Sequence, residues 1–251
     1  LSSYIIVFFL RSRRPPIFTL FTSSTLFRSV EVSLEDYSFL FIAGGFSYGD
    51  EVAAGNILAL ELRTRLRDAL LRFEERGRLV IGVCNGFQIL IKTGLMPFRF
   101  DNIADMRATL ANNDSGRYED RWVHLGVEPA TVCVFTRNMK PRIELPVAHA
   151  EGKFIVRSAE NLRELETHGQ VVLRYTTPDG GGDPSYPDDP NGSMGHIAGV
   201  CNRAGTIFGL MPHPERFLRN INHPRWTRED LPDEGDGMAF FRNAYEYCRN
   251  L

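Results

Sequence analysis

The sequence has few cysteines and lacks the signatures of a metal or nucleotide site. Its four cysteines, at positions 84, 133, 201 and 248, form no C-x-x-C pair, so neither a zinc site nor a disulfide framework is indicated. It contains no G-x-x-x-x-G-K-[ST] or G-x-G-x-x-G motif, and the triple glycine at 180–182 precedes no helical pattern, so no ATP site is expected. Such cysteine usage suits a reducing cytoplasm.

The chain also lacks an excess of basic charge and a hydrophobic run long enough to span a membrane. A formal net charge of −2 and an isoelectric point near 6.3 argue against a nucleic-acid partner. The apolar run 4–10 is too short for a bilayer, and the basic cluster 11–14 follows it instead of preceding it as in a signal peptide. With 43% apolar residues in 251, the chain can bury the core of one large domain.

Apolar runs and one amphipathic segment predict a layered α/β fold. Apolar residues recur at helical spacing between 57 and 73, with Gly77 as a stop signal. The polar stretches 112–121 and 178–192 are predicted loops. The alternation of strand and helix favours a doubly wound, mostly parallel sheet with helices on both faces (flavodoxin-like), in which ligands bind beyond the carboxyl ends of the strands. Buried strands are predicted at 39–43, 79–83, 123–127, 132–135, 171–175 and 207–210.

Cys84 lies in the segment GVCNGFQIL, which follows the apolar run 79–81 and begins a predicted helix. A cysteine on such a strand-to-helix turn is held in a strained conformation that requires small residues two positions away, here Gly82 and Gly86. The helix N-terminus favours the thiolate form, so Cys84 is a predicted nucleophile. The simpler alternative is a small hydrophobic residue that fills the core.

A histidine and a carboxylate follow the apolar run 206–208 in the segment GLMPHPERF. Pro214 forces His213 into an extended conformation, so the side chains of His213 and Glu215 can project to the same side. A histidine oriented by a carboxylate can take the proton of a thiol and return it to a leaving amine. These residues predict a triad of Cys84, His213 and Glu215, although a His-x-Glu pair alone is more often a surface or loop pair.

These two segments, together with FIAGGFSYGDE upstream, resemble the class I (triad) glutamine amidotransferases. Within this class, the same segments are similar to the glutaminase subunit or domain of phosphoribosylformylglycinamidine synthase. Three further stretches, 189–193, 197–202 and 223–228, agree with this purine-pathway branch. The resemblance extends from about residue 31 to residue 251. It implies the class I amidotransferase fold and hydrolysis of glutamine through a cysteine thioester.

Negative charge on the substrate carbonyl oxygen requires amide donors during such a reaction. The backbone N–H of Asn85, directly after the nucleophile, is one candidate, and the resemblance implies that the N–H of Gly45 is the other. The alternative for Gly44-Gly45 is an ordinary tight turn.

The resemblance also implies how the amino acid end of glutamine is held. Gln88 matches a position that contacts substrate, although a polar residue at a helix start is also commonplace. The segment 147–152, which includes His149 and Ala150, matches a stretch that holds the α-amino and carboxylate groups largely through its backbone. Ala150 stands where glycine is frequent in the family, and the alternative for this segment is a strand end with a solvated His-Ala-Glu.

Glutamine hydrolysis is only half of a synthetase reaction, and the ammonia needs an acceptor elsewhere. The resemblance implies a partner, the synthetase subunit or domain of phosphoribosylformylglycinamidine synthase, which uses ATP and Mg to convert formylglycinamide ribonucleotide to the amidine. Free ammonia is mostly protonated near neutral pH, which is a physical reason for the two proteins to dock. No cofactor and no metal are expected in this chain.

Other histidines and cysteines are expected to be structural. Cys133 and Cys201 lie in apolar runs, and the histidines at 124, 168 and 196 are more often satisfied structural residues than ligands. His223, with Arg225 and Trp226, can serve either packing or a partner interface.

Residues 1–29 do not resemble the first strand and helix of the family, and residues 26–29 match one reading frame of a common sequencing adaptor. We expect this segment to be non-native or atypical, with the amidotransferase domain at 30–251. Two rival functions stay open: another class I amidotransferase or cysteine hydrolase, and an inactive domain that binds the synthetase.

Overall fold

A computed structural model describes residues 7–11, 19–21, 34–45 and 55–251. The helices of this part of the chain are α1 (Asn56–Arg65), α2 (Arg67–Glu75), α3 (Asn85–Thr93), α4 (Ala159–Thr167) and α5 (Met238–Arg249). Its strands are β1 (Val7–Arg11), β2 (Thr19–Phe21), β3 (Tyr37–Ile42), β4 (Leu79–Val83), β5 (Ala108–Ala111), β6 (Glu119–Val127), β7 (Arg142–His149), β8 (Lys153–Val156), β9 (Val171–Thr176), β10 (Ile197–Cys201) and β11 (Ile207–Leu210).

One large mixed sheet has the strand order β2-β1-β3-β4-β11-β10-β9-β6-β7, and β5 pairs with β8 in a small second sheet. Strands β3, β4 and β11 are parallel to one another, with Phe39 opposite Leu79 and Ile207 opposite Val80. The other described pairings in the large sheet are antiparallel. The α/β class is therefore confirmed, but the prediction of a mostly parallel sheet is wrong.

The mixed character of the sheet follows from its connections. A parallel neighbour requires a crossover, and α1 and α2 supply one between β3 and β4. The short turn 202–206 between β10 and β11 allows only an antiparallel hairpin. Apolar runs predict that a segment is a buried strand, but they do not set its direction.

Helices cover both faces of the sheet, as predicted. Phe208 stacks on Phe240 of α5, with ring centroids 6.0 Å apart. A Cβ on the next residue, Gly209, would lie 2.0 Å from a ring carbon of Phe87 in α3. Successive residues of a strand point to opposite faces, so α3 and α5 lie on opposite sides of β11.

The structure corrects three local predictions. Residues 132–135 do not form a strand: Val134–Thr136 is a single 3-10 turn whose apolar side chains are nevertheless buried. The helix predicted at 57–73 is divided into α1 and α2 at Leu66, where φ is −120° and ψ is 6°. The loop predicted at 112–121 ends earlier, because β6 begins at Glu119.

The residues predicted to form the site lie beyond the carboxyl ends of the parallel strands, as expected. The parallel strands end at Ile42, Val83 and Leu210, so the residues that follow them meet at the same edge of the sheet. Most of the segment 1–29 lies outside the described residues, and its non-native character stays a prediction. Within the described residues, no helix combines the length and the apolar character needed to cross a membrane.

Candidate active site

Cys84 lies between the end of β4 and the start of α3, with φ of 52° and ψ of −109°. This is the strained strand-to-helix turn predicted from the sequence. The neighbouring glycines are sterically required, because a Cβ on Gly86 would lie 2.0 Å from the carbonyl oxygen of Ile42 and a Cβ on Gly82 would lie 2.5 Å from that of Gly86. The turn therefore presents the thiol at the positive end of α3.

His213 follows β11, and its backbone N–H donates to the carbonyl of Pro146 at 2.8 Å. Its Nδ1 lies 2.6 Å from Oε1 of Glu215, which belongs to the 3-10 turn Pro214–Arg216. An ionised carboxylate only accepts hydrogen bonds, so Nδ1 carries the proton of the neutral imidazole. Nε2 is then the basic nitrogen.

The fold brings Cys84 and His213 together across the edge of the sheet. The point at which a Gly44 Cβ would stand is 2.9 Å from Cε1 of His213 and 3.2 Å from Cβ of Cys84. Burial lowers the pKa of His213, but the proximity of Cys84 and the contact with Glu215 outweigh burial and raise that pKa to about 9. The three predicted triad residues therefore form one interacting group.

The segment 148–152 lies beside this group. The Cys84 thiol is 3.4 Å from the carbonyl oxygen of Ala148, at the end of β7. Gln88 donates from Nε2 to the carbonyl of Glu151 at 2.8 Å and accepts from Nδ2 of Asn85 at 3.0 Å. Asn85, Gln88 and the 148–152 segment are thus connected, and their predicted role in binding glutamine stays a prediction.

Gly45 has φ of 112°, a conformation that favours glycine, and a Cβ at this position would meet nothing within 4 Å. It directly follows Gly44, which packs against Cys84 and His213. The predicted role of the Gly45 N–H as an oxyanion donor stays a prediction.

Asn113 is a buried residue of this site that the sequence analysis missed. Its side chain bonds to the carbonyls of Arg117 and His149, to Nδ1 of His149 and to the N–H of Gly152. Its backbone N–H also donates to the carbonyl of Ala150. An asparagine in a polar loop gives no local signal of such contacts, because most of its partners lie at and after the end of the distant strand β7.

His149 is buried, so the alternative prediction of a strand end with a solvated His-Ala-Glu is wrong for this residue. The other histidines have structural contacts. His223 packs edge-on against Trp122 and lies 3.3 Å from Glu144, and His196 lies 2.8 Å from Asp189. The two remaining histidines are partly exposed.

The three other cysteines are buried in the core, as predicted for Cys133 and Cys201. Hydrogen bonding to Cys133, together with burial, raises the pKa of the Cys201 thiol. Burial raises the pKa of Cys248 to about 12, and its thiol lies 3.5 Å from the Ser38 carbonyl. Cys84, in contrast, lies beside His213.

Comparison with known proteins places this geometry in a family. Residues 20–248 match the CobB/CobQ-like glutamine amidotransferase domain. The PurQ subunit of phosphoribosylformylglycinamidine synthase from Dehalococcoides mccartyi is 44% identical over 218 residues, which are 87% of this chain and 82% of that protein. The corresponding subunit from Archaeoglobus fulgidus is 40% identical over 228 residues, with 87% and 81% of the two chains covered.

A solved structure agrees with these relatives. The structure of PurLQS from Thermotoga maritima contains a chain that is 32% identical, with a TM-score of 0.64 and coverage of 86% of this chain and 82% of that one. The chain therefore belongs to the CobB/CobQ-like glutamine amidotransferase family, in the group that contains the PurQ subunits of phosphoribosylformylglycinamidine synthase.

Proposed function

We propose that this chain is the glutaminase subunit of phosphoribosylformylglycinamidine synthase and that Cys84, His213 and Glu215 are its catalytic triad. The convergence of Cys84 and His213 at the carboxyl edge of β3, β4 and β11 carries this proposal. The identity to PurQ subunits over most of both chains supports the choice of enzyme.

The reaction begins when the sulfur of Cys84 attacks the side-chain carboxamide carbon of glutamine. The thiol proton passes to Nε2 of His213 and from there to the amide nitrogen, the C–N bond breaks, and ammonia leaves. Glu215 holds the imidazole with its proton on Nδ1 and stabilises the imidazolium. The product of this step is a glutamyl thioester on Cys84.

Water completes the cycle. His213 removes a proton from the water as it attacks the thioester carbon, and the C–S bond breaks to give glutamate and the free thiol. The backbone N–H groups of Gly45 and Asn85 stabilise the oxyanion in both steps. Gln88 and the segment 147–152, which includes His149 and Ala150, bind the amino acid end of the substrate.

The ammonia is consumed by a synthetase partner, which binds ATP and Mg and forms the amidine from formylglycinamide ribonucleotide. The name of the Thermotoga maritima structure, PurLQS, supports such a multi-subunit assembly for a relative. Direct transfer between the two proteins keeps the ammonia unprotonated. A cytoplasmic location suits this division of labour.

Replacement of the nucleophile in the assembled complex tests this proposal. Cys84→Ser should abolish glutamine-dependent synthesis, while synthesis from added ammonia by the partner remains close to that of the unmodified complex. Cys133→Ser is the matched control, since Cys133 is a buried cysteine away from the triad. Loss of both activities in Cys84→Ser, or retention of the glutamine-dependent one, contradicts the assignment.

A further inference from the structure

The carboxylate of Glu215 is held by one hydrogen bond within the described part of the chain. Its Oε1 lies 2.6 Å from Nδ1 of His213, whereas its Oε2 is buried and has no hydrogen-bond partner among the described residues. A carboxylate without a second anchor takes its orientation from the backbone that carries it. That backbone is the 3-10 turn Pro214–Arg216, so the groups that pack against this turn set the distance between Glu215 and His213.

The segment 218–236 leaves this turn and returns to it before α5 begins. At its return, the N–H of Gly237 donates to the carbonyl of Phe217 at 2.9 Å. A Cβ on Gly237 would lie 1.8 Å from the carbonyl oxygen of Pro214, so the returning chain packs directly against the turn. The turn and the base of the segment therefore form one packed unit.

Phe217 links the end of the turn to a cluster of three rings. It is buried, and its ring centroid lies 5.1 Å from that of Trp122 in β6 and 5.3 Å from that of His223. The rings of Trp122 and His223 are 4.5 Å apart. Trp122 is opposite Pro146 of β7, whose carbonyl accepts the backbone N–H of His213 at 2.8 Å. The cluster therefore connects the end of the turn with the strand that holds the backbone of His213.

Hydrogen bonds fix the ring of His223 within this cluster. The residue is buried, and its Nδ1 accepts from the backbone N–H of Arg225 at 3.2 Å. The proton of the neutral ring is then on Nε2, which donates to Oε2 of Glu144 at 3.3 Å. Glu144 belongs to β7, and its own N–H donates to Asp236 at 2.8 Å. This attachment to the sheet keeps the ring of His223 against Phe217.

Starting from the glutaminase function proposed above, we infer that His223 is a positioning residue for the triad. Its ring holds Phe217, and Phe217 holds the turn that keeps Glu215 within hydrogen-bonding distance of His213. This gives a role to the segment 223–228, for which the sequence left packing and a partner interface open. Because His223 acts through the turn, its loss should slow the chemical step and leave substrate binding largely unchanged.

Three substitutions of His223 test this role in the assembled complex. His223→Phe keeps a ring beside Phe217 but loses the hydrogen bond to Glu144, His223→Gln can keep a donor for Glu144 but loses the ring, and His223→Ala loses both. In His223→Ala, kcat for glutamine should fall about 10-fold or more, with KM within about threefold of the unmodified value. The other two variants should lie between it and the unmodified complex. Each kcat is expressed per assembled complex isolated by size-exclusion chromatography.

The titration of His213 separates positioning from a general loss of stability. Burial lowers the pKa of His213, while the nearby Cys84 and Glu215 raise it. A carboxylate moved out of reach raises the pKa less, so the NMR titration of the His213 ring should shift to lower pH in His223→Ala. Phe73→Leu is the matched control, because Phe73 is buried in α2, near the start of β4 and so toward the opposite edge of the sheet from the triad. It should lower the free energy of unfolding but change neither kcat nor this titration.

A double variant shows whether His223 acts through Glu215. In the Glu215→Gln background, His223→Ala should reduce kcat much less than it does in the unmodified chain, because the carboxylate that it would displace is already gone. The inference is overturned if the two losses multiply, if KM rises as much as kcat falls, or if Phe73→Leu matches His223→Ala in both kcat and titration. It is also overturned if His223→Ala weakens binding of the synthetase while kcat of the assembled complex is unchanged, since the segment would then serve the interface.

The unmodified complex distinguishes failure of this inference from failure of the proposed function. If that complex hydrolyses glutamine but the variants show one of these patterns, only the role of His223 is wrong. If it hydrolyses no glutamine, the proposed function itself is wrong.

Discussion

The ion pair between His213 and Glu215 has a measurable effect on stability as a function of pH. Nδ1 of His213 lies 2.6 Å from Oε1 of Glu215, and Cys84 and Glu215 together raise the pKa of His213 from 6.5 to about 9. A difference of this size between folded and unfolded states corresponds to about 3 kcal/mol of stabilisation. The imidazole is nearly buried, so solvent screens this contribution little.

The sign of the effect follows from the direction of the shift. The folded-state pKa is above the unfolded value, so the stabilisation is complete below about pH 6.5 and disappears as pH rises through about 9. Glu215→Gln keeps an acceptor for Nδ1 but removes the negative charge. We expect the pKa of His213 to fall and the pH-dependent part of the unfolding free energy to shrink by roughly 1 to 2 kcal/mol, because Cys84 still raises the pKa in this variant.

Two measurements check this expectation: the NMR titration of the His213 ring, assigned by its absence in His213→Ala, and urea unfolding at pH 6 and pH 9. Cys84→Ala is the matched control, because it removes the other contact that raises the pKa and leaves Glu215 in place. If His213 titrates at the same pH in Glu215→Gln and in the unmodified chain, the electrostatic role given to Glu215 is wrong.

Two further predictions concern catalysis and the strained turn. His213→Ala should reduce glutaminase kcat more than Glu215→Gln, because the first removes the base and the second disturbs its orientation; equal losses would contradict the role of Glu215. Gly86→Ala should lower the free energy of unfolding by about 1 to 3 kcal/mol, because its Cβ would lie 2.0 Å from the Ile42 carbonyl, whereas Gly182→Ala, with nothing within 4 Å, should change it little. Similar denaturation midpoints for the two glycine variants would refute the steric argument.

The sequence predicted the centre of the site well because its signals are local. Strand β4 and the turn at Cys84 follow from an apolar run with glycines on either side of the cysteine, and β11 has the predicted boundaries. Parallel strands end at a common edge, so the meeting of Cys84 and His213 could be expected from their positions after these strands.

The missed features depend on distant contacts. Residues 132–135 are as apolar as a buried strand but form a turn packed into the core, with Phe135 near Phe39 and Phe208. The polarity of Asn113 predicted a loop, and nothing in its neighbourhood indicated that its side chain would hold a segment that follows it by more than thirty residues. The spacing of apolar and polar residues indicates whether a residue is buried or exposed, but it does not identify the residues that it contacts.

Covalent labelling of the assembled complex tests the central claim most directly. A glutamine analogue that carries an electrophile in place of the side-chain amide should modify one cysteine per chain, at Cys84, and excess glutamine should prevent the reaction. Peptide mass spectrometry should find Cys133, Cys201 and Cys248 unmodified, since the analogue is directed to the edge of the sheet where Cys84 lies beside His213. If Cys84 is not labelled in a folded complex with the synthetase, its assignment as the nucleophile is wrong. The result would favour the alternative in which the chain is an inactive domain that binds the synthetase.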